Sequence, residues 1–261
     1  MQEWLDAAID AARQAGGLQR SRFAGVKTVT HKGAKDLVTD VDLASERIII
    51  ACLKKACPDF GVLAEEGGSH NEQHEYCWII DPLDGTTNYA HGYPWFCVSI
   101  ALAHRAVPLL SVIYNPMSDE LFTARHGAGA WCNGHQLTIS QTTELGESLL
   151  ATGFPYDCAT SQENNFDDFM AFQRRAQGIR RAGSAALDLA YVAKGSLDGF
   201  WEIKLKPWDV AAGILLVQEA GGMVTGHAGE PFLLENHRIL ASNGYIHASM
   251  VTLLTSGESH L

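Results

Sequence analysis

The 261-residue sequence predicts an α+β N-terminal half, residues 1–140, joined to an α/β C-terminal half, residues 141–261. Two observations predict it. Between residues 60 and 136, short apolar and β-branched runs follow one another with turn signals between them, which is consecutive strands rather than alternating units. Past residue 140, strand-length runs alternate with stretches of helical periodicity, which is the pattern of a second α/β layer. A hydrophobic content of 46% is ample for a core, and the length allows one large domain or two of about 130 residues each.

The elements follow in order. Trp4, Leu5, Ala8, Ile9 and Ala12 recur at helical spacing, and Gly16-Gly17 marks a weak point and a candidate end. Residues 27–35 are polar and read as a loop. Asp36-Leu37-Val38-Thr39 leads into a second helix carrying Ile48, Ile49, Cys52 and Leu53, closed by Pro58. Thr39 and Asp42 have the spacing of a capping box. Strands are predicted over residues 60–64, 76–80, 96–103, 109–114 and 121–123. Asn115-Pro116 and Gly127-Ala128-Gly129 mark turns, and Asn133-Gly134 a hairpin. In the second half, strands are predicted at 149–152, 200–202, 224–225 and 239–241. Helices are predicted at 164–177, with Phe166, Phe169, Met170 and Gln173 along one face, and at 185–193, 209–220 and 247–255. Gly221-Gly222 ends the third of these.

The net charge of −11 disfavours a grip on nucleic acid or an anionic membrane. It suits anionic substrates only where bound cations invert the local field. Six cysteines contain no Cys-x-x-Cys pair, the start Met-Gln-Glu-Trp shows no signal peptide, and no apolar run is long enough to span a membrane. Reduced thiols in a cytoplasmic protein are expected. Zinc is disfavoured by the cysteine spacings. The eleven histidines are scattered and read as surface or packing residues.

The chemistry centres on Trp78-Ile79-Ile80-Asp81-Pro82-Leu83-Asp84-Gly85-Thr86-Thr87-Asn88. The run up to Ile80 reads as a buried strand, which Pro82 ends because it has no N–H. Gly85 permits a tight turn, and Thr86 and Thr87 are good N-cap residues. Two carboxylates thus lie beside backbone N–H groups at a helix start, which suits a hard cation and a phosphate together. Taken alone, Asp-Pro-x-Asp-Gly is equally a surface turn. Pro207-Trp208-Asp209 opens a later helix; Asp209 there either answers the helix dipole or brings a third carboxylate.

Taken together, Ala64-Glu65-Glu66, the stretch from Trp78 to Asn88, and Pro207-Trp208-Asp209-Val210-Ala211-Ala212-Gly213 resemble the three signatures of the inositol monophosphatases. Arg181-Ala182-Gly183-Ser184-Ala185-Ala186-Leu187-Asp188-Leu189-Ala190 is similar to the bacterial members, and the match in motif order covers nearly the whole chain. The resemblance implies a layered α-β-α-β-α sandwich of the inositol monophosphatase and fructose bisphosphatase type, with the site where the halves meet. It implies Mg²⁺ on Glu65, Asp81, the Leu83 carbonyl, Asp84 and Asp209. Glu65 and Thr86 would orient the attacking water, with Asp42 placing Thr86. The substrate would lie against Asp84, Gly85, Thr86, Ala185, Glu202 and Lys206, and Lys32 would approach the metal from its loop. It further implies hydrolysis of inositol 1-phosphate by a homodimer.

Other readings keep the fold and change the substrate: histidinol phosphate, adenosine 3′,5′-bisphosphate, fructose bisphosphate or NADP. Another adds a non-catalytic role as a partner of the transcription machinery, for which an acidic surface suits protein contact better than RNA contact. A P-loop is disfavoured because no G-x-x-x-x-G-K-[ST] occurs. Gly127-x-Gly129 has Cys132 where a dinucleotide fingerprint needs its third glycine.

Overall fold

The computed structural model describes residues 1–25, 29–31, 37–70 and 74–256. The opening periodicity becomes helix α1 (Gln2–Arg22), which buries Leu5, Ala8, Ala11, Ala12 and Ala15. It runs through Gly16-Gly17 instead of ending there. A Cβ at Gly16 would lie 2.6 Å from the Tyr114 ring. The glycine therefore lets the helix approach the sheet, and that packing outweighs a propensity cost of about 1 kcal/mol.

Strand β1 (Val29–His31) pairs antiparallel with β2 (Leu37–Thr39), so part of the polar stretch is strand rather than loop. Its β-branched Val29 and Thr30 find partners in Val38 and Thr39, and tertiary pairing overrides local polarity. Lys32 and Asp36 lie outside the described residues. Helix α2 (Asp40–Ala56) opens with the predicted capping box: Val41 N donates to Thr39 Oγ1 at 3.2 Å, and Thr39 N donates to Asp42 Oδ2 at 3.0 Å.

The larger sheet has eight strands. Strand β3 (Gly61–Ala64) carries the edge strand β4 (Gly68–His70) on one side and lies parallel to β5 (Tyr76–Asp84) on the other. After the short helix α3 (Thr86–Ala90), an antiparallel meander follows: β6 (Cys97–His104), β7 (Val107–Asn115), β8 (Glu120–Arg125), β9 (Ala130–Cys132) and β10 (His135–Gln136). Asn133 and Gly134, at φ 49° and 79°, form the two-residue turn between the last two.

The second half begins with β11 (Leu149–Thr152), helix α4 (Phe166–Gln173), β12 (Gly178–Arg180) and helix α5 (Ala185–Ala193). Then come β13 (Gly199–Ile203), helix α6 (Pro207–Glu219), β14 (Met223–Thr225), β15 (Arg238–Ser242) and helix α7 (His247–Thr255). The five-stranded sheet runs β12-β11-β13-β15-β14 and is mixed, parallel from β12 to β13 and antiparallel beyond. Helix α4 is shorter than residues 164–177, because the chain turns back at Gln173 into β12. Its buried residue is Phe172, stacked on Trp201 with ring centroids 4.1 Å apart, while Phe166 and Met170 are exposed.

Strand alternation sorts the apolar side chains into three interiors. Trp78, Ile80, Val98, Ile100 and Leu102 face α1 and α2. Ile79, Cys97, Ala101 and Ala103 face the opposite way, onto α5 and α6 and through them onto Ala151, Phe200 and Ala241 of the smaller sheet. Leu150, Trp201 and Leu240 face α4 and α7. The layers are therefore α-β-α-β-α. Small residues let the middle helices pack closely: a Cβ at Gly213 would lie 2.5 Å from Leu189 Cβ. Gly213→Val is accordingly expected to cost about 2–3 kcal/mol of stability through overpacking. A lowered denaturant midpoint with unchanged slope is the expected result, and an unchanged midpoint would show that α5 and α6 part easily.

All six cysteines are free thiols, three buried and three partly so. Among the described residues no helix is long and apolar enough to cross a membrane.

Candidate active site

The site starts from an irregularity in β5. Asp81 pairs with Ser99 and Asp84 with Cys97, so Pro82 and Leu83 together stand opposite Val98 alone. The strand thus continues to Asp84 instead of ending at Asp81. Pro82 sits in the bulge, where no ladder N–H is required of it. Leu83 N donates to Asp81 Oδ1 at 2.9 Å, which fixes one oxygen of that buried carboxylate.

Gly85, rather than either threonine, takes the N-cap position of α3, at φ 96°. A Cβ there would lie 3.0 Å from the Trp95 carbonyl and 3.3 Å from that of Gly183. Both conformation and space therefore require glycine. Thr86 becomes the first helical residue, and its Oγ1 lies 2.8 Å from Asp42 Oδ1 and 3.0 Å from the Leu83 carbonyl as a donor. Asp42 also accepts from Thr39 N and the Thr39 hydroxyl. It serves the start of α2 and holds Thr86 at the same time. Burial pushes its carboxyl up to about 6 despite these hydrogen bonds.

Two more segments of the first half, and then the second half, complete the wall. Glu65 follows β3, and its N–H continues the ladder to the Ile80 carbonyl at 3.2 Å. The buried Glu46 of α2 accepts from Glu66 N at 2.9 Å and so holds this turn. Ser184, the N-cap of α5, donates to Asp84 Oδ2 at 2.5 Å, and Ala186 N donates to the same oxygen at 2.8 Å. A carboxylate of the first half thus closes the helix start of the second. Asp209, in the first turn of α6, accepts from Lys206 N at 2.6 Å. Glu202 of β13 lies over Gly153, where a Cβ would come within 2.1 Å of its carboxylate.

These segments enclose a cavity of about 510 Å³. Glu65, Asp81, Leu83, Asp84, Gly85 and Thr86 line it from one half, and Ala185, Glu202, Lys206 and Asp209 from the other. Asp42 stands behind Thr86. Sequence reading assigned no role to Ser184, Arg181, Asp188 or Glu46. Ser184 and Asp188 were within reach of it, since they precede and follow Ala185 at helix-start spacing. The long-range contacts of Glu46 and Arg181 left no local signal.

The carboxylates strain against one another. Burial, then the charges of Glu65, Asp84 and Asp209, hold Asp81 well above the usual carboxylate range. Burial raises Asp84 to about 6 and Asp209 well above its ordinary value. Glu202 is pushed up to about 8 by burial and the charge of Asp209. Among the described residues no three His, Cys, Asp or Glu side chains already stand in a ligating cluster. Asp81, Asp84 and Asp209 each have one oxygen committed to a backbone or hydroxyl donor, and the cavity wall offers oxygen donors throughout. Mutually repelling oxygen donors of this kind fit a hard divalent cation.

The model of the inositol monophosphatase family matches residues 1–258. A Synechocystis sp. protein named inositol-1-monophosphatase is 45% identical over 98% of this chain and 90% of its own length. A Pseudomonas aeruginosa protein named Nus factor SuhB is 45% identical over 100% of this chain and 98% of its own. The solved structure of inositol monophosphatase from Anabaena (Nostoc) sp. PCC 7120 superposes with a TM-score of 0.91 at 45% identity, covering 98% of this chain and 96% of that one. With the layered fold and with signatures in order from Glu65 to Asp209, these matches establish that the chain belongs to the inositol monophosphatase family.

Proposed function

We propose that the cavity hydrolyses a phosphate monoester with Mg²⁺ as cofactor, and that inositol 1-phosphate is the substrate it serves best. The observation that carries this reading is the convergence of Glu65, Asp81, Asp84 and Asp209 from both halves on one cavity beside the backbone turn at Gly85 and Thr86. Mg²⁺ would be held by Glu65, Asp81, the Leu83 carbonyl, Asp84 and Asp209. When bound, it supplies positive charge to the phosphate and lowers the pKa of a water.

The side chains then have separate tasks. Thr86 has a single hydroxyl proton, drawn toward Asp42 or the Leu83 carbonyl. Its remaining lone pair is available to a water in the cavity, so Thr86 and Glu65 orient that water for in-line attack. The N–H groups of Gly85 and Thr86 hold phosphate oxygens. Helix α3 has only five residues, so these N–H groups act as local donors rather than through a long dipole. Ala185, Glu202 and Lys206 bound the space for the leaving alcohol. Water is the nucleophile, so no covalent enzyme intermediate is required. A homodimer in the cytoplasm is the accompanying expectation from the family resemblance.

Phosphate release from inositol 1-phosphate, with and without Mg²⁺, beside histidinol phosphate, adenosine 3′,5′-bisphosphate, fructose bisphosphate and NADP, tests the reading. Mg²⁺-dependent release strongest on inositol 1-phosphate is expected. Strongest release from another compound would move the substrate, and release from none would remove the reading.

Mg²⁺ should also raise the thermal midpoint of chelator-treated protein, and more at pH 8 than at pH 6. The sign follows from linkage. Asp84 and Glu202 have folded-state values raised to about 6 and about 8. Their contribution to stability is full below the unfolded carboxylate range and is lost as pH rises through those values. The cation-free protein is therefore less stable at pH 8, where a cation relieves the most repulsion. A midpoint insensitive to Mg²⁺ at both pH values would contradict the metal assignment.

A second reading is supported by the name Nus factor carried by the Pseudomonas relative. It is a non-catalytic role as partner of the transcription machinery, alongside hydrolysis. Capture of transcription proteins by Asp84→Asn protein would separate the two roles, and failure to capture them with wild type would remove this one.

A further inference from the structure

Asp188 lies in the first turn of α5 and lines the cavity, yet only 2% of it is accessible. Its side chain makes no hydrogen bond or ion pair among the described residues. Capping does not account for it: Ser184 is the N-cap, and its Oγ accepts from Leu187 N. Its oxygens are not among the fully enclosed unpaired atoms, so their remaining accessible surface opens on the cavity it lines. Glu202 lines the same cavity, likewise without a hydrogen bond from its carboxyl among the described residues, and so does Arg181. Burial, then the charges of Glu202 and Asp84, hold Asp188 well above the usual carboxylate range, with Arg181 partly offsetting them.

A buried carboxyl without a partner is costly to maintain. The helix dipole favours an acid in a first turn, but an exposed acid would satisfy it equally. Burial aimed into a cavity needs a donor that arrives with the ligand. The cations proposed above are assigned to Glu65, Asp81, the Leu83 carbonyl, Asp84 and Asp209, and Asp188 is not needed in that set, although the charge of Asp84 reaches it. Beside Glu202 and Ala185 the ligand would present its alcohol portion.

We infer that Asp188 is a substrate-binding residue that accepts a hydrogen bond from a hydroxyl of the leaving alcohol, and so selects polyol phosphates over phosphates of hydroxyl-free alcohols. The inference rests on the phosphatase reading and deepens it. It makes Asp188 a partner of Glu202 in recognition, with no part in holding the metal or moving a proton.

The test is the ratio of kcat/KM on inositol 1-phosphate to kcat/KM on 4-nitrophenyl phosphate, whose alcohol has no further hydroxyl. Asp188→Leu keeps the branched heavy-atom skeleton, with two larger methyls in place of the oxygens, and removes the acceptor. It should lower kcat/KM on inositol 1-phosphate about 10- to 100-fold, mainly through KM, and change the other substrate by less than about 3-fold. Asp188→Asn retains an acceptor oxygen and should keep most of the wild-type ratio, and it also serves if the leucine variant folds poorly. Equal losses on both substrates or no loss on inositol 1-phosphate in Asp188→Leu, or a ratio that collapses in folded Asp188→Asn, would overturn the inference. A wild-type ratio near one would overturn it too, while leaving the phosphatase reading standing. Wild type that turns over neither substrate would overturn both.

Discussion

Asp84→Asn is expected to lower kcat for phosphate release about 10³-fold, the loss of several kcal/mol of transition-state charge stabilisation, while the protein stays folded. The geometry separates the two effects. Asp84 Oδ2 accepts from Ser184 Oγ and Ala186 N, and an asparagine oxygen can accept both. The interface between β5 and the start of α5 therefore survives. What is lost is the negative charge on a carboxylate that burial already holds near 6. A neutral amide there costs the fold little and removes a ligand from the proposed cation. Circular dichroism and a thermal midpoint close to wild type should accompany the inactivity, and the stabilisation by Mg²⁺ should shrink. Near-wild-type turnover by this variant would sink the assignment of Asp84.

The second large effect concerns Thr86. Thr86→Val replaces the hydroxyl with a methyl of similar size, and kcat should fall about 10²-fold or more with little change in KM. Thr86 Oγ1 joins the cavity to the buried Asp42, and no other side chain hydroxyl among the described residues bonds both Asp42 and the Leu83 carbonyl. Without it, a water beside Glu65 loses one acceptor and its orientation. Asp42 loses a hydrogen bond that favours its charged form, so its carboxyl should rise above about 6. Thr86→Ser restores the hydroxyl and should recover most of the activity. If the valine variant retained wild-type kcat, Thr86 would be a structural residue of α3 only.

Much of this was legible in the chain because the signals were local. The helix over Ala185–Ala193, the closing helix and the Asn133-Gly134 hairpin follow from periodicity and turn chemistry. The capping box at Thr39 and Asp42 was readable at three-residue spacing, and the structure shows Asp42 in a second bond that the spacing could not reveal. Gly16-Gly17 misleads because local propensity knows nothing of Tyr114. Pro82 misleads because a proline that would end a regular ladder is accommodated in a bulge. The inward face of α4 differs from the periodicity because Trp201 lies about thirty residues beyond Phe172, so nothing near the helix says which aromatic turns inward.

By itself the sequence determined most helices and the longer strands, though not β1, β2, β4 or β12, together with the family and most of the acids at the cavity, since each depends on residues near one another in the chain. The tertiary structure decided which of those acids share a space. Asp84 meets Ser184 across a hundred residues, Asp42 meets Thr86 across forty-four, and Asp188 is left without a partner at the wall of the cavity. The physical reason is that burial and mutual charge, which give these carboxylates their character, arise only when the two sheets close on the helices between them.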